Sequence, residues 1–103
     1  MSGAWIVPQG RSRFGVQGVL DFDTVGPLAL ESRRQFIGKE RMEVDLQGVR
    51  SSNSAGLALL LEWLELAHQR GISLRFRNLP ESIARLAAIT NLTGLLPVNK
   101  SGS

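Results

Sequence analysis

Ser54 opens the longest helical pattern in the chain, and its hydroxyl is the side chain whose position most invites chemistry. It follows a polar loop, Gln47 to Asn53, and begins a run of small and apolar residues, Ser54-Ala55-Gly56-Leu57. A hydroxyl at that point can accept an orphan backbone N–H as an N-cap, a duty open equally to Asn53. The same place suits a phosphate, because unpaired N–H groups and the positive end of the helix dipole favour negative charge. Other chemistry-bearing residues lack company. His68 is the single histidine, and no Cys, Asp or Glu cluster spaced for a metal accompanies it. Asp21 and Asp23 sit at a strand-to-helix turn that they are expected to cap, with Asp23 or Thr24 as the cap of the helix that follows. Gly15, Gly18 and Gly26 do not have the spacing of a phosphate loop. Cysteine is absent, which excludes thiolate ligands, disulfides and cysteine nucleophiles. With no nucleophile, base and orienting group in sequence company, no catalytic residue, metal or cofactor is expected.

The elements that must position these residues follow from periodicity and breakers. Trp5-Ile6-Val7 reads as a short strand ended by the turn Pro8-Gln9-Gly10, and Arg13 to Leu20 as a second, hairpin-linked strand. A helix is expected over Val25 to Ile37, with Pro27 in its first turn. Met42 to Leu46 reads as a buried strand, Gln47 to Asn53 as a loop, and Ser54 to Arg70 as a helix stopped by Gly71. Ser73 to Arg77 alternates as a strand, and a last helix over Pro80 to Asn91 has Pro80 at its first position. The order β-β-α-β-α-β-α implies a single α/β domain, a mixed sheet with three to four helices packed on it. Residues 1–97 form that domain and 98–103 a flexible tail.

On the helix from Ser54, Leu57, Leu60, Leu64 and Ala67 share the stripe expected to face the sheet, and Glu62, Glu65 and Gln69 the wet one. Leu59, Trp63 and Leu66 lie on the flank between. That flank either packs under a neighbouring helix or remains an apolar strip for a partner, with Trp63 as its anchor.

Composition limits the functional classes. The chain has 103 residues, 43% hydrophobic and 20% charged, enough for one modest core and no separate cofactor domain. Twelve basic residues against nine acidic give a net charge of +3, and ten of the twelve are Arg. They are scattered in pairs, Arg11 and Arg13, Arg33 and Arg34, Lys39 and Arg41, Arg75 and Arg77, without a basic arm or a ladder of aromatics. Nucleic acid is therefore not the expected partner. The first ten residues lack the pattern of a secretory signal, and the apolar run Ala55 to Leu61 is too short to cross a bilayer. A cytoplasmic protein that meets a membrane only through a partner is expected.

The segment Val44-Asp45-Leu46 through Asn53-Ser54-Ala55-Gly56-Leu57 resembles the signature of STAS domains, the family of anti-sigma-factor antagonists. There a strand ending D-L-x-x-V runs to D-S-x-G-L at a helix start. Gly18-Val19-Leu20-Asp21 resembles the family's G-x-L-D, and Gly94-Leu95 its late G-L. Two positions depart from the phosphorylated antagonists: Asn53 stands where Asp usually precedes the acceptor Ser, and Ala55 where a second Ser can follow.

Within the family the likeness is to the small STAS subunit of the Mla ABC transporter, which moves phospholipid between the two membranes of Gram-negative bacteria. It is carried by Trp5, Asp21 through Pro27-Leu28-Ala29, Ser54 through Leu61, and Leu92 to Pro97. The resemblance implies a non-enzymatic subunit that binds and stabilises or regulates the transporter's ATPase, with permease and substrate-binding subunits in the same complex. It would sit on the inner membrane only through that complex. Asn53, Ser54, Leu59, Trp63 and Leu66 are the expected partner-binding residues. The alternative implied by the family is an anti-sigma-factor antagonist switched by phosphorylation of Ser54.

Overall fold

The computed structural model describes residues 3–99. Along the chain it runs β1 (Ala4–Pro8), β2 (Arg13–Leu20), α1 (Val25–Ser32), a 3₁₀ turn (Arg33–Phe36), β3 (Arg41–Ser52) and α2 (Ser54–Gln69). β4 (Ser73–Arg77), α3 (Glu81–Ile89), a second 3₁₀ turn (Thr93–Leu95) and β5 (Val98–Asn99) complete it. The strands lie in the sheet in chain order, β1 antiparallel to β2 and every later pair parallel. This is the α/β architecture expected.

Chain order in the sheet has a consequence for its faces. Parallel neighbours need crossovers, and crossovers are right-handed. Three crossovers stepping in the same direction place α1, α2 and α3 on the same face. The core therefore lies between that face and the helices. Phe14, Val16, Val44, Leu46, Leu74 and Phe76 point into it from the strands, and Leu28, Phe36, Leu60 and Ile83 from above. Most parallel sheets are covered on both faces and read as unbroken apolar runs. Here β4 alternates Ser73-Leu74-Arg75-Phe76-Arg77, with Leu74 and Phe76 buried and Ser73 and Arg75 exposed.

Four sequence expectations need correction. The loop over Gln47 to Asn53 is largely strand: β3 continues beside β2 as far as the pair Leu20 and Ser52, through two register irregularities. Its polar residues reflect an exposed face rather than an unpaired backbone. The first helix is shorter than Val25 to Ile37, because a 3₁₀ turn replaces its last part and Ile37 is extended. The guanidinium of Arg70, the residue that closes α2, donates to the carbonyls of Arg33 (3.0 Å) and Phe36 (3.1 Å) and satisfies that end. Pro80 is the residue before α3 rather than its first, with an extended ψ of 142°. Val98 and Asn99, expected in a flexible tail, instead pair with Phe76 and Arg77 of β4; residues 100–103, the rest of that expected tail, lie outside the described residues.

Helix α2 stops as its sequence suggests. Gly71 adopts a φ of +68°, the Ile72 N–H reaches back to the Ala67 carbonyl (2.8 Å) and the Gly71 N–H to that of His68 (3.2 Å). This double closure requires a residue at ease with positive φ.

Candidate functional site

The start of α2 is held by the sheet on one side and by its own cap on the other. The Asn53 N–H donates to the carbonyl of Leu20 (3.1 Å), so the end of β3 is tied to the end of β2. Asn53 itself is extended, and its Oδ1 accepts the N–H of Ala55 at 2.8 Å. Asn53, not Ser54, is thus the capping residue. Ser54 is the first helical residue and is exposed. Among the described residues its hydroxyl makes no intramolecular hydrogen bond, so it stands free at the positive end of a 16-residue helix.

Gly56 is the reason α2 can leave β3 so abruptly. A Cβ at this position would lie 1.9 Å from Ser52 Oγ and 3.3 Å from Ile83 Cδ1. A larger side chain would have to displace the Ser52 hydroxyl and press on Ile83 of α3, so glycine lets both approach the first turn of α2.

The turn after β2 forms the other wall. Asp21 Oδ1 accepts the N–H groups of Asp23 (2.9 Å) and Thr24 (3.0 Å), while Thr24 Oγ1 accepts the Asp21 N–H and donates to the Val19 carbonyl (2.7 Å). Asp21 is therefore the carboxylate that caps this turn; Thr24 is the residue before α1, and its side chain locks the turn rather than capping the helix. Phe22 is presented at the tip of this turn with 73% of its surface exposed. Because Asp21 follows the residue bonded to Asn53, Phe22 and Ser54 belong to adjoining loops at one edge of the domain. Sequence reasoning passed over Phe22. The available signal was an aromatic between two aspartates, in a turn that offers it no core position.

The apolar flank of α2 is not an exposed strip. Leu59 is 2% exposed and Trp63 1% exposed; Leu66 alone is half-buried. The indole of Trp63 packs on Phe36, ring centroids 6.3 Å apart, and its Nε1–H donates to Ser32 Oγ at 2.9 Å. Ser32 in turn donates to the Ala29 carbonyl (3.0 Å) and is the buried polar side chain of α1. Trp63 therefore joins α2 to α1. Of the remaining α2 positions, Leu57, Leu60 and Ala67 are buried as their spacing indicates, Leu64 is half-buried, and Glu62, Glu65 and Gln69 are exposed. Between α1 and α2 a groove of about 150 Å³ remains, lined by Ala29, Glu62, Trp63 and Leu66 among others.

A hydroxyl freed from capping at a helix end, with an exposed aromatic on the adjoining loop, can take a hydrogen bond or a phosphate while the aromatic offers apolar contact to a protein. Among the described residues, no group of three or more His, Cys, Asp or Glu side chains is placed to hold a metal ion, and no helix is long and apolar enough to cross a membrane.

Comparison with known proteins places this geometry in a family. No curated protein matches the chain. Among solved structures its fold is similar to the anti-sigma factor antagonist SpoIIAA in its unphosphorylated form. The TM-score is 0.69, over 93% of this chain and 87% of that one, at 11% identity. A family model described as "Mlab, STAS domain" matches residues 9–97. That match takes in β2, all three helices and the Asn53–Ser54 junction, and the chain belongs to the STAS-domain family.

Proposed function

We propose that the chain is a non-enzymatic STAS subunit that docks on the cytoplasmic ATPase of a phospholipid-transporting ABC complex. There it stabilises or regulates that ATPase, in a system maintaining outer-membrane lipid asymmetry. The observation that carries this reading is the free Ser54 hydroxyl: Asn53 discharges the capping duty, which leaves Ser54 available to a partner. The description of the matching family model agrees with it. Asn53 and Ser54 supply the polar part of the contact and Phe22 the apolar anchor, a role Leu59 and Trp63 cannot fill from the core. Leu66 lies twelve residues beyond Ser54, roughly 18 Å along the helix, at the far margin of such a footprint.

The fold likeness to SpoIIAA favours a second reading, an anti-sigma-factor antagonist phosphorylated on Ser54. A phosphate there would lie at the positive end of α2. Affinity purification from native cells, with intact-mass analysis of the recovered chain, separates the two. The transporter reading expects an ATPase and permease to co-purify with unphosphorylated chain. It also expects Ser54→Ala to weaken ATPase binding roughly 2- to 10-fold and Phe22→Ala roughly 30-fold. Stoichiometric phosphate on Ser54 together with a soluble kinase partner would overturn it in favour of the second.

A further inference from the structure

The sheet face opposite the helices concentrates the positive charge of the chain. Arg13 on β2, Arg41 and Arg50 on β3, and Arg75 and Arg77 on β4 project there, against the carboxylates Glu43 and Asp45. Five arginines against two acids is a surplus equal to the whole formal charge of +3, so the rest of the chain is balanced. The two acids are already engaged. Glu43 lies 3.7 Å from Arg13 and 3.9 Å from Arg77 and accepts from Asn99 Nδ2 (2.7 Å); Asp45 accepts from Asn78 Nδ2 (2.8 Å) and the Gln47 N–H (2.9 Å). Among the described residues Arg41 and Arg75 make no ion pair, and Arg75 bonds only Asn99. Both border a shallow depression of about 380 Å³ together with Arg13, Ser12, Ser73 and the already engaged Glu43.

We propose that this open face binds an extended acidic segment of a partner protein, its carboxylates paired with Arg41, Arg75 and Arg13. The arrangement suits a segment that crosses the strands: Arg13 and Arg75 flank Glu43 in one row of the sheet, about 9–10 Å apart, and Arg41 lies in the adjacent row, within reach of alternate side chains of an extended peptide. All five cations are guanidiniums, whose planar fork pairs a carboxylate through two hydrogen bonds. A single-stranded nucleic acid needs several stacking rings, and the face offers only Trp5, half exposed and bonded through Nε1 to Gln17 (3.1 Å). A lipid surface needs large exposed apolar side chains to enter it, and among the described residues this face offers Trp5 with a half-buried Val19 beside it. The surface is separate from the Ser54 edge, and the proposal does not depend on which partner docks there.

The test uses the full chain and a fluorescein-labelled twelve-residue peptide alternating Glu and Ser, titrated by anisotropy at low salt. Trp5 emission serves as a second reporter, since Trp63 is buried. The double variant Arg41→Glu/Arg75→Glu is expected to lose binding by about tenfold or more. Arg33→Glu/Arg34→Glu, an identical change in formal charge on the helix side, is expected to lose less than about threefold. Circular dichroism establishes folding, and Arg41→Gln/Arg75→Gln replaces the first pair should it unfold. Equal losses from both double variants would overturn the proposal, as would no peptide binding by the parent chain. So would tighter binding of a twelve-nucleotide oligothymidine or of phosphatidylglycerol vesicles than of the peptide.

Discussion

Removing the Ser32 hydroxyl should destabilise the domain through Trp63, thirty-one residues away in sequence. In the parent chain the indole N–H, in a side chain 1% exposed, donates to Ser32 Oγ at 2.9 Å. Ser32→Ala leaves that N–H buried without an acceptor, which costs about 1–3 kcal/mol. Trp63→Phe removes the donor and leaves a void beside Phe36, for a cost of about 1–3 kcal/mol, while Trp63→Ala should cost about 3–5 kcal/mol. The informative quantity is the double variant. Once Trp63 is Phe there is no N–H to orphan, so Ser32→Ala should then cost only a few tenths of a kcal/mol. That makes the coupling about 1 kcal/mol or more. Urea unfolding followed by circular dichroism measures this: with a slope of about 1–2 kcal/mol per molar, a 2 kcal/mol loss moves the midpoint by roughly 1–2 M. Strictly additive costs, or an unchanged midpoint for Ser32→Ala, would refute the assignment of this hydrogen bond as the link between α1 and α2.

Three further substitutions test the candidate site. Asn53→Ala should lower stability by about 1 kcal/mol, seen as a fall of roughly 4–8 °C in Tm, whereas Ser54→Ala should stay within about 0.5 kcal/mol of the parent. A larger loss from Ser54→Ala would reverse the assignment of the cap. Gly56→Ala should cost about 1–3 kcal/mol because its methyl meets Ser52 Oγ, and adding Ser52→Ala should recover part of the loss in urea midpoint; no recovery would place the strain elsewhere.

Local rules carried the sequence reading far. Alternation in Arg13–Leu20 and Ser73–Arg77, the 3.6-residue period after Ser54 and the stop at Gly71 all depend on neighbours within a turn or a strand, and these elements formed where expected. The family motif likewise occupies one contiguous stretch, so the Asn53–Ser54 junction was legible before any fold was known. Loop polarity misled at Gln47–Ser52, because a strand with one wet face and a loop have similar composition.

Local sequence information sufficed for four of the five strands, the three helices, their order and the position of Ser54; β5 and the 3₁₀ turns depend on what they pack against. Tertiary structure decided which surfaces remain. The flank Leu59–Trp63–Leu66 has the same pattern whether it meets solvent or a neighbour, and only the landing of α1 and its 3₁₀ turn, with Ser32 and Phe36 against the indole, placed Trp63 inside. Phe22 became an exposed aromatic because the Asp21–Thr24 hydrogen bonds fix its turn at the domain edge. Scattered basic pairs became a charged face because three same-direction crossovers left that side of the sheet uncovered and brought Arg13, Arg41 and Arg75 into neighbouring rows. Periodicity reports which residues lie together on one element, whereas exposure is set by what packs against that element from distant parts of the chain.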